Sequence, residues 1–465
     1  MKSTRRIFLA QTGASAAALA AGCTAAAKST PVAASPVDKS APALPQVAWS
    51  RSIPVRYEAD VAVLGGGMAG VSAAMAAARS GAKVILVERF AVTGGNATVG
   101  GVAAFCGETA GQGEAFDEIV QTLELFNAIT PYKPYPEADH RNFDHEILAI
   151  VLQELLLKRG VRLLLHTQLV DVCVQGGRLT EAIVCGPSGP EALRARQFID
   201  STGEAMATRL AGFPTVKGRP ADGLQLPMSI MSFVRHVDAK DARPQVPEGW
   251  FDAIREKADL PMVSVWPNGP GGSALKIKIP MFDASDTESL TAAEIRGRRR
   301  TMEVLDYYQR VDKKPWRLDH ISPRIGIREG RRIVGQYELC VADLRAGRRF
   351  DDAIARGAYV LDGHKPDDDK RTYLLSKDQM KVPPYQIPLR CLVVRDAKNL
   401  LAAGRCLSAN QLALSSARVM TTCSMMGQAA GIAAAMAVAK NTDPRDLNPA
   451  DVRKVVVERG AKLDV

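Results

Sequence analysis

The sequence has few aromatic residues, few histidines and no closely spaced pair of cysteines. Aromatic side chains make up 5% of the residues, and the lysines and arginines are dispersed among acidic residues despite a net charge of +10. Both properties argue against a nucleic-acid-binding surface. The eight cysteines form no C-x-x-C pair, so neither an iron–sulfur cluster nor a zinc site is supported. The six histidines show no H-x-x-x-H spacing, and we predict no metal site.

The N-terminal region also lacks the strongly apolar run that predicts a membrane helix. Residues 1–23 instead combine Arg5 and Arg6 with a moderately apolar, alanine-rich stretch, a pattern typical of twin-arginine export signals. The stretch ends in a sequence similar to a lipoprotein box, which leaves lipidation of Cys23 and simple cleavage nearby as alternatives. Residues 24–55 are rich in Ala, Pro, Ser and Lys and predict a flexible linker. We therefore expect a protein that is periplasmic or anchored outside the cytoplasm, with membrane contact only through the signal or a lipid.

The most informative motif is a glycine-rich loop. Residues 65–70 have the sequence G-G-G-M-A-G, directly after an apolar run, and fit the pattern G-x-G-x-x-G. In a dinucleotide site the strand turns at the first glycine, the pyrophosphate approaches bare backbone at the second, and the helix packs on the strand at the third. A bare G-x-G-x-x-G is often only a tight turn, so the flanking sequence decides.

The flanking sequence favours a nucleotide site. An alanine-rich stretch at 69–79 predicts a helix, Gly81 predicts its end, and residues 83–87 predict a second strand. Glu88 ends that strand, where an acidic side chain suits hydrogen bonds to an adenosine ribose and disfavours a 2′-phosphate. We therefore predict an adenine dinucleotide site. Only one such fingerprint is visible, which argues against a second site for a nicotinamide nucleotide.

Later blocks show which family the chain resembles. In order, they are the first loop with Glu88, the glycine pair within 93–98, the turn Asp200–Gly203, and Gly404–Arg405 before a long helix of small residues. From about Tyr57 to Lys440 the chain resembles FAD-dependent oxidoreductases of glutathione-reductase-like fold, including the flavin domain of heterodisulfide reductase-like proteins. The resemblance implies FAD as cofactor and an α/β fold. A Rossmann-like FAD-binding domain, with a βαβ unit and a central parallel sheet, would carry an inserted mixed α+β substrate domain.

The same blocks imply the domain boundaries. The FAD-binding domain is expected in two parts, with the substrate domain between them and a helical tail at the C-terminus. The expected ranges are 56–211 and 386–440 for the FAD-binding domain, 212–385 for the substrate or cap domain, and 441–465 for the tail.

The resemblance also assigns residues to parts of the cofactor. The first loop would face the pyrophosphate, Glu88 the ribose, and the second block the flavin. Arg405 would lie by the pyrophosphate, although no acidic partner is adjacent in sequence, and a surface charge is the alternative. Arg418 would add a cation at the flavin, with a core salt bridge as the alternative. The expected cofactor-binding residues are Gly65, Gly67, Met68, Ala69, Gly70, Glu88, Gly94, Gly95, Asn96, Thr98, Thr202, Gly203, Gly404, Arg405 and Arg418.

Three candidates lie on the substrate side. Residues 325–332 resemble an arginine-rich family block, in which Arg328 and Arg331 are candidates to hold an anionic substrate or the flavin; pairing with neighbouring glutamates is the alternative. Asp362 to His364 resembles another block, and His364 is the candidate acid/base. The helix after Ser415 is expected to direct its N-terminus at the flavin, where amide donors favour the negative charge of the reduced ring.

Together these features predict an exported FAD-dependent oxidoreductase that transfers a hydride or electron pair between a small organic substrate and flavin N5. Reoxidation is expected to involve a quinone, oxygen or a redox partner protein. One alternative is an exported electron-carrying or binding subunit without its own substrate turnover, and another is a flavin-dependent isomerase. A closed pocket with convergent polar groups would favour the enzyme, and an open, flat flavin edge the carrier.

Overall fold

The structure is a computed structural model that describes residues 47–241 and 243–465. The predicted export signal, Cys23 and most of the predicted linker lie outside the described residues. The strands are β1 (Val55–Leu64), β2 (Val84–Val87), β3 (Ala104–Cys106), β4 (His140–Asn142), β5 (Arg162–Leu164), β6 (Gln168–Gln175), β7 (Arg178–Gly186), β8 (Gly189–Asp200), β9 (Thr215–Val216), β10 (Met228–His236), β11 (Val263–Pro267), β12 (Gly272–Ile279), β13 (Trp316–Ile321), β14 (Arg332–Ile333), β15 (Ala353–Gly357), β16 (Tyr385–Pro388) and β17 (Leu400–Ala402). The α-helices are α1 (Met68–Arg79), α2 (Glu114–Leu125), α3 (His145–Lys158), α4 (Met206–Leu210), α5 (Thr287–Arg310), α6 (Val341–Arg345), α7 (Lys377–Met380), α8 (Gln411–Ala417), α9 (Met420–Ala439) and α10 (Pro449–Glu458).

Seven strands form the main sheet, in the order β5-β2-β1-β8-β7-β6, with β17 paired to β8. The pairs β1–β2, β1–β8, β2–β5 and β8–β17 are parallel, whereas β6–β7 and β7–β8 are antiparallel. β1, α1 and β2 form the predicted βαβ unit, and the predicted α/β class is confirmed. The antiparallel hairpin of β6 and β7 adds to the parallel sheet. Its turn is Gly176–Gly177, both with positive φ, as tight hairpins require.

Helix α9 packs against α1 at unusually short range. A Cβ on Gly427 would overlap the carbonyl oxygen of Ala69, and a Cβ on Gly431 would overlap that of Ala73. The two backbones can therefore approach only because these positions have no side chain. By length and composition α9 could cross a membrane, but 83% of its most apolar window is buried inside the fold. It is the central helix of the core.

A second, antiparallel sheet has the order β11-β12-β10-β13. Helix α5 contacts β10, β12 and β13, and Leu275 and Ile277 of β12 share a buried cluster with Val304 of α5. On the opposite face Ala274 belongs to a small cluster that packs with Val102. This sheet and helix correspond to the predicted additional α+β domain. The residue boundaries of the domains stay a prediction.

The contact between α1 and α9 gives a stability prediction. Gly431→Val should lower the free energy of unfolding by at least about 2 kcal/mol, because the new side chain must push the two helices apart. Ala439→Val is the matched control, since it places the same side chain at an exposed position of α9 and should change stability by less than about 0.5 kcal/mol. Urea unfolding of both variants measures the difference. Equal stabilities would contradict the close contact.

Candidate functional site

A cavity opens where the parallel strands of the main sheet end. Leu64, Val87, Ser201 and Ala403 lie at or just after the carboxyl ends of β1, β2, β8 and β17, and all four line the cavity. The space between its walls, including the part open to solvent, measures about 1070 Å³. Ligands bind at this edge in open α/β sheets.

The three motif glycines have three different roles. Gly65 has φ +103°, and a Cβ there would collide with the backbone of Ser201. A Cβ on Gly70 would overlap the carbonyl oxygen of Gly65, so this glycine lets α1 pack on the turn. Gly67 lines the cavity, and a Cβ there would meet no atom within 4 Å. Gly65 and Gly70 thus leave space that the protein backbone itself occupies. Of the three, Gly67 alone leaves space that a ligand can occupy.

Glu88 is held in place by the loop that it faces. Its Oε2 accepts a hydrogen bond from the Gly66 amide at 2.7 Å, and its Oε1 accepts one from the Phe90 amide at 3.0 Å. The residue is 5% exposed and lines the cavity. A buried carboxylate fixed in this way is a preformed acceptor for a ligand hydroxyl.

Two helices begin at the cavity. Met68, the first residue of α1, and Met420, the first residue of α9, both line it, as does Cys423 in the first turn of α9. The expected helix after Ser415 is interrupted, because Val419 is extended (φ −63°, ψ 149°) and separates α8 from α9. The interruption creates a new N-terminus with free amide groups. Both N-termini favour negative charge in the cavity.

Arg405 is part of the cavity wall and not a surface charge. Its side chain is 13% exposed, and its Nη2 lies 2.6 Å from Oε1 of Glu204. Its other donors reach the carbonyl oxygens of Gly203 at 3.0 Å and Ile327 at 2.6 Å. Glu204 is thus the acidic partner that sequence reasoning did not find, although it directly follows the Asp200–Gly203 turn.

Arg89 and Arg324 also line the cavity beside Arg405. Burial and the neighbouring Arg89 and Arg405 lower the pKa of Arg324 to about 9. Burial likewise lowers the pKa of Arg89. Three guanidinium groups therefore share the carboxylates of Glu88 and Glu204, and the excess positive charge suits a pyrophosphate. Neither arginine was predicted, although Arg89 follows Glu88 and Arg324 precedes the 325–332 block.

Several lining residues carry buried polar atoms that have no hydrogen-bond partner among the described residues. They are Asn96 Oδ1, Glu204 Oε2, Arg324 Nη2 and Arg418 Nε. An unpaired buried polar atom costs about 1–3 kcal/mol, and these four belong to residues of the cavity wall. FAD fits this set of groups, which comprises the bare glycine at the turn, the fixed acid Glu88 and the arginine cluster. Gly67 and the arginines would hold its pyrophosphate, Glu88 its ribose, and Asn96 and Arg418 its flavin end.

Most of the predicted cofactor residues come together here. All of them line the cavity except Gly70 and Thr98. Thr98 instead donates a hydrogen bond to the carbonyl oxygen of Thr93 at 2.7 Å and so shapes the turn that carries Gly94. The lining residues that were not predicted are Leu64, Val87, Arg89, Phe90, Thr167, Gln168, Leu169, Ser201, Glu204, Met206, Arg324, Ile327, Ala403, Met420 and Cys423.

Arg328 and Arg418 line the cavity. Both belong to a group of ionisable side chains, which we call the ionisable cluster. Arg418 forms an ion pair with Asp362 at 2.6 Å, so the core salt bridge and the position at the cavity are both observed. Arg331 does not line the cavity, and its role stays a prediction. Arg332, by contrast, pairs with Glu329. The members of the cluster are Cys106, Lys276, Arg328, Tyr359, Asp362, His364, Tyr373 and Arg418.

His364 lies behind Asp362 and does not line the cavity. Its Nε2 is 3.1 Å from Oδ1 of Asp362, its Nδ1 is 3.1 Å from the carbonyl oxygen of Thr372, and the residue is 2% exposed. Burial and then Arg328 lower the pKa of His364 to about 4, although Asp362 opposes this. Both ring nitrogens face protein atoms, so the expected role as direct acid/base stays a prediction, and the contact with the site passes through Asp362.

Comparisons with known proteins show the family of the chain. Residues 60–456 match the family model described as FAD dependent oxidoreductase. No curated protein matches the sequence. Two solved structures are similar at low identity. A geranylgeranyl bacteriochlorophyll reductase-like protein from Thermoplasma acidophilum is 13% identical with a TM-score of 0.47, over 88% of this chain and 85% of that one. The anhydrotetracycline hydroxylase OxyS from Streptomyces rimosus is 14% identical with a TM-score of 0.45, over 86% and 65%.

The empty space beside Gly67 gives a sharp test of the site. Gly67→Val should leave the free energy of unfolding of the cofactor-free protein within about 0.5 kcal/mol, because the side chain meets no protein atom. The same change should weaken FAD binding by more than about tenfold, because it fills the space for the ligand. Gly65→Val is the contrasting variant and should destabilise the protein itself. FAD titration and urea unfolding measure both effects, and unchanged FAD affinity in Gly67→Val would contradict the assignment.

Proposed function

The chain belongs to the FAD dependent oxidoreductase family, and we propose that it is an exported enzyme that moves a hydride or electron pair between a small organic substrate and its flavin. Bound FAD supplies the redox chemistry, and the protein supplies binding, orientation and exclusion of water. The observation that carries this proposal is the ionisable cluster at one end of the cavity. Within the family we assign the chain to the glutathione-reductase-like fold, on the order of its sequence blocks.

The cluster supports substrate turnover because its polar groups converge beside the cavity. Its members come from β3, β12, the loop before β14, the loop between β15 and α7, and the link between α8 and α9. A cluster assembled from so many segments is costly to form unless a ligand uses it. A protein that only carries electrons would need no more than an accessible flavin edge.

Asp362 organises this end of the cavity. Burial alone would raise the pKa of its carboxyl group, but His364, Arg418 and Arg328 together hold it below the usual range. The carboxylate therefore stays ionised and keeps Arg418 directed along the wall. We assign His364 a positioning role through Asp362 and leave Arg328 and Arg418 as the groups that face a bound substrate.

Export and partners belong to the same proposal. The twin-arginine pattern at 1–23 supports delivery to the periplasm or to a lipid anchor at Cys23. This pathway carries folded proteins, so a protein could acquire its cofactor before export. A single nucleotide fingerprint supports a quinone, oxygen or a redox partner protein as the electron acceptor or donor.

Anaerobic spectroscopy of the holoenzyme tests the function. A metabolite panel is added to the oxidised enzyme without oxygen, and one compound should bleach the flavin stoichiometrically. If the enzyme is a reductase, one compound should instead restore the colour of the chemically reduced flavin. Conversion of a compound without any net change in flavin colour would identify an isomerase. Electron exchange with a protein partner alone would identify an electron carrier, and either result would contradict the proposal.

Localisation is tested by changing the arginine pair. Arg5→Lys together with Arg6→Lys should hold the protein in the cytoplasm, because twin-arginine signals require the pair. Arg51→Lys, which lies beyond the predicted signal, should be delivered as the unchanged protein is. Cell fractionation with immunodetection measures both variants. Periplasmic delivery of the double variant would contradict the export signal.

A further inference from the structure

We infer that the substrate is a small organic carboxylate, bound between Arg328, which lines the cavity, and Lys276. The pairing of β12 with β10 places Lys276 on the same sheet face as Ser229, whose hydroxyl anchors Arg328. This inference rests on the proposed function and names the substrate class of the same site. It depends on three observations: a guanidinium without a carboxylate partner, an ammonium without a hydrogen-bond acceptor, and an excess of positive charge in an enclosed space.

Arg328 is anchored by neutral groups only. Its Nη1 donates to the carbonyl oxygen of Pro227 at 2.8 Å and to the hydroxyl of Ser229 at 2.7 Å. Its other guanidinium nitrogens make no hydrogen bond or ion pair within 47–241 and 243–465. The residue lines the cavity. Arg328 is therefore held in one orientation while part of its fork is free for a ligand, which is the arrangement that binds a carboxylate.

Lys276 lies on the face of β12 that α5 does not cover. Its neighbours Leu275 and Ile277 pack in the cluster that contains α5, and side chains alternate along a strand, so Lys276 projects from the opposite face. Its Nζ lies 5.7 Å from the centre of the Trp266 ring. No hydrogen-bond acceptor or carboxylate contacts it among the residues described.

The charges of Lys276 and Arg328 act on each other. Burial and then Arg328 lower the pKa of Lys276, while Asp362 and Cys106 partly oppose this. Burial and then Arg418 lower the pKa of Arg328 to about 10. Each group is therefore less stable as a cation than it would be in water. An anion between them would relieve that cost.

Asp362 does not balance the site. It is already paired with Arg418 and in contact with His364. Arg328 and Lys276 are therefore left without a counter-charge, and the oxidised flavin ring carries none. One carboxylate offsets half of this excess and matches both the planar fork and the compact ammonium.

Ligand binding to the oxidised holoenzyme tests this inference without turnover. Acetate, propionate and succinate should perturb the flavin absorption spectrum in a saturable way, whereas acetamide, propionamide and succinamide should not. Inorganic phosphate and sulfate form a third arm. Bound FAD occupies the arginines at the pyrophosphate, so these additions report on the far end of the cavity.

Two variants and one control assign the binding to the proposed residues. Lys276→Met and Arg328→Gln should each raise the carboxylate dissociation constant by about tenfold or more. Lys276→Met breaks no hydrogen bond in the structure, so it tests the inference even if Arg328→Gln folds poorly. Arg299→Gln on the exposed side of α5 should leave the constant unchanged. Circular dichroism and flavin content show that each variant is folded and loaded.

The outcomes separate this inference from the proposed function. Equal perturbation by amides, tighter binding of phosphate than of any carboxylate, or unchanged constants in both variants would overturn the carboxylate site. Bleaching by a neutral substrate with no carboxylate binding would overturn it and leave the redox function intact. Carboxylate binding without redox activity towards any substrate would overturn the proposed function alone.

Discussion

The close approach of α1 and α9 determines where the site lies. Because Gly427 and Gly431 carry no side chain, the two helix backbones touch at Ala69 and Ala73, and their first residues reach the same cavity. The partial positive charge of both N-termini is thereby directed at one ligand. The adjacent strand ends supply the glycine turn and the fixed carboxylate of Glu88. A change that separated the helices would displace all of these groups together.

Charge is distributed unequally along the cavity. Near the glycine turn, Arg89, Arg324 and Arg405 outnumber the carboxylates of Glu88 and Glu204. At the other end, the ionisable cluster holds three cationic side chains and one carboxylate. Uncompensated buried charge is costly, and a bound anion would offset each excess. The first fits the pyrophosphate of the cofactor and the second fits a substrate carboxylate.

The residues that sequence reasoning assigned to the cofactor mostly line one cavity, because their signals are local. The turn at Gly65, the bare position at Gly67 and the acid at Glu88 belong to one βαβ unit, and their spacing predicts their geometry. The interruption at Val419 has no comparable signal, since neither proline nor glycine marks it. An ion pair between Arg418 and Asp362, which lie far apart in sequence, accompanies the interruption. Sequence reasoning also missed Lys276, because Lys276 and Arg328 lie far apart in sequence. The alternating lysines of β12 do place two cations on one face.

The central claim is that this cavity holds FAD, and flavin content tests it most directly. The full chain should be purified, supplied with FAD, freed of unbound cofactor and denatured to release what it holds. The account predicts a yellow protein that releases one FAD per chain, identified as FAD and not as FMN. A correctly folded, colourless protein that takes up no flavin would contradict it.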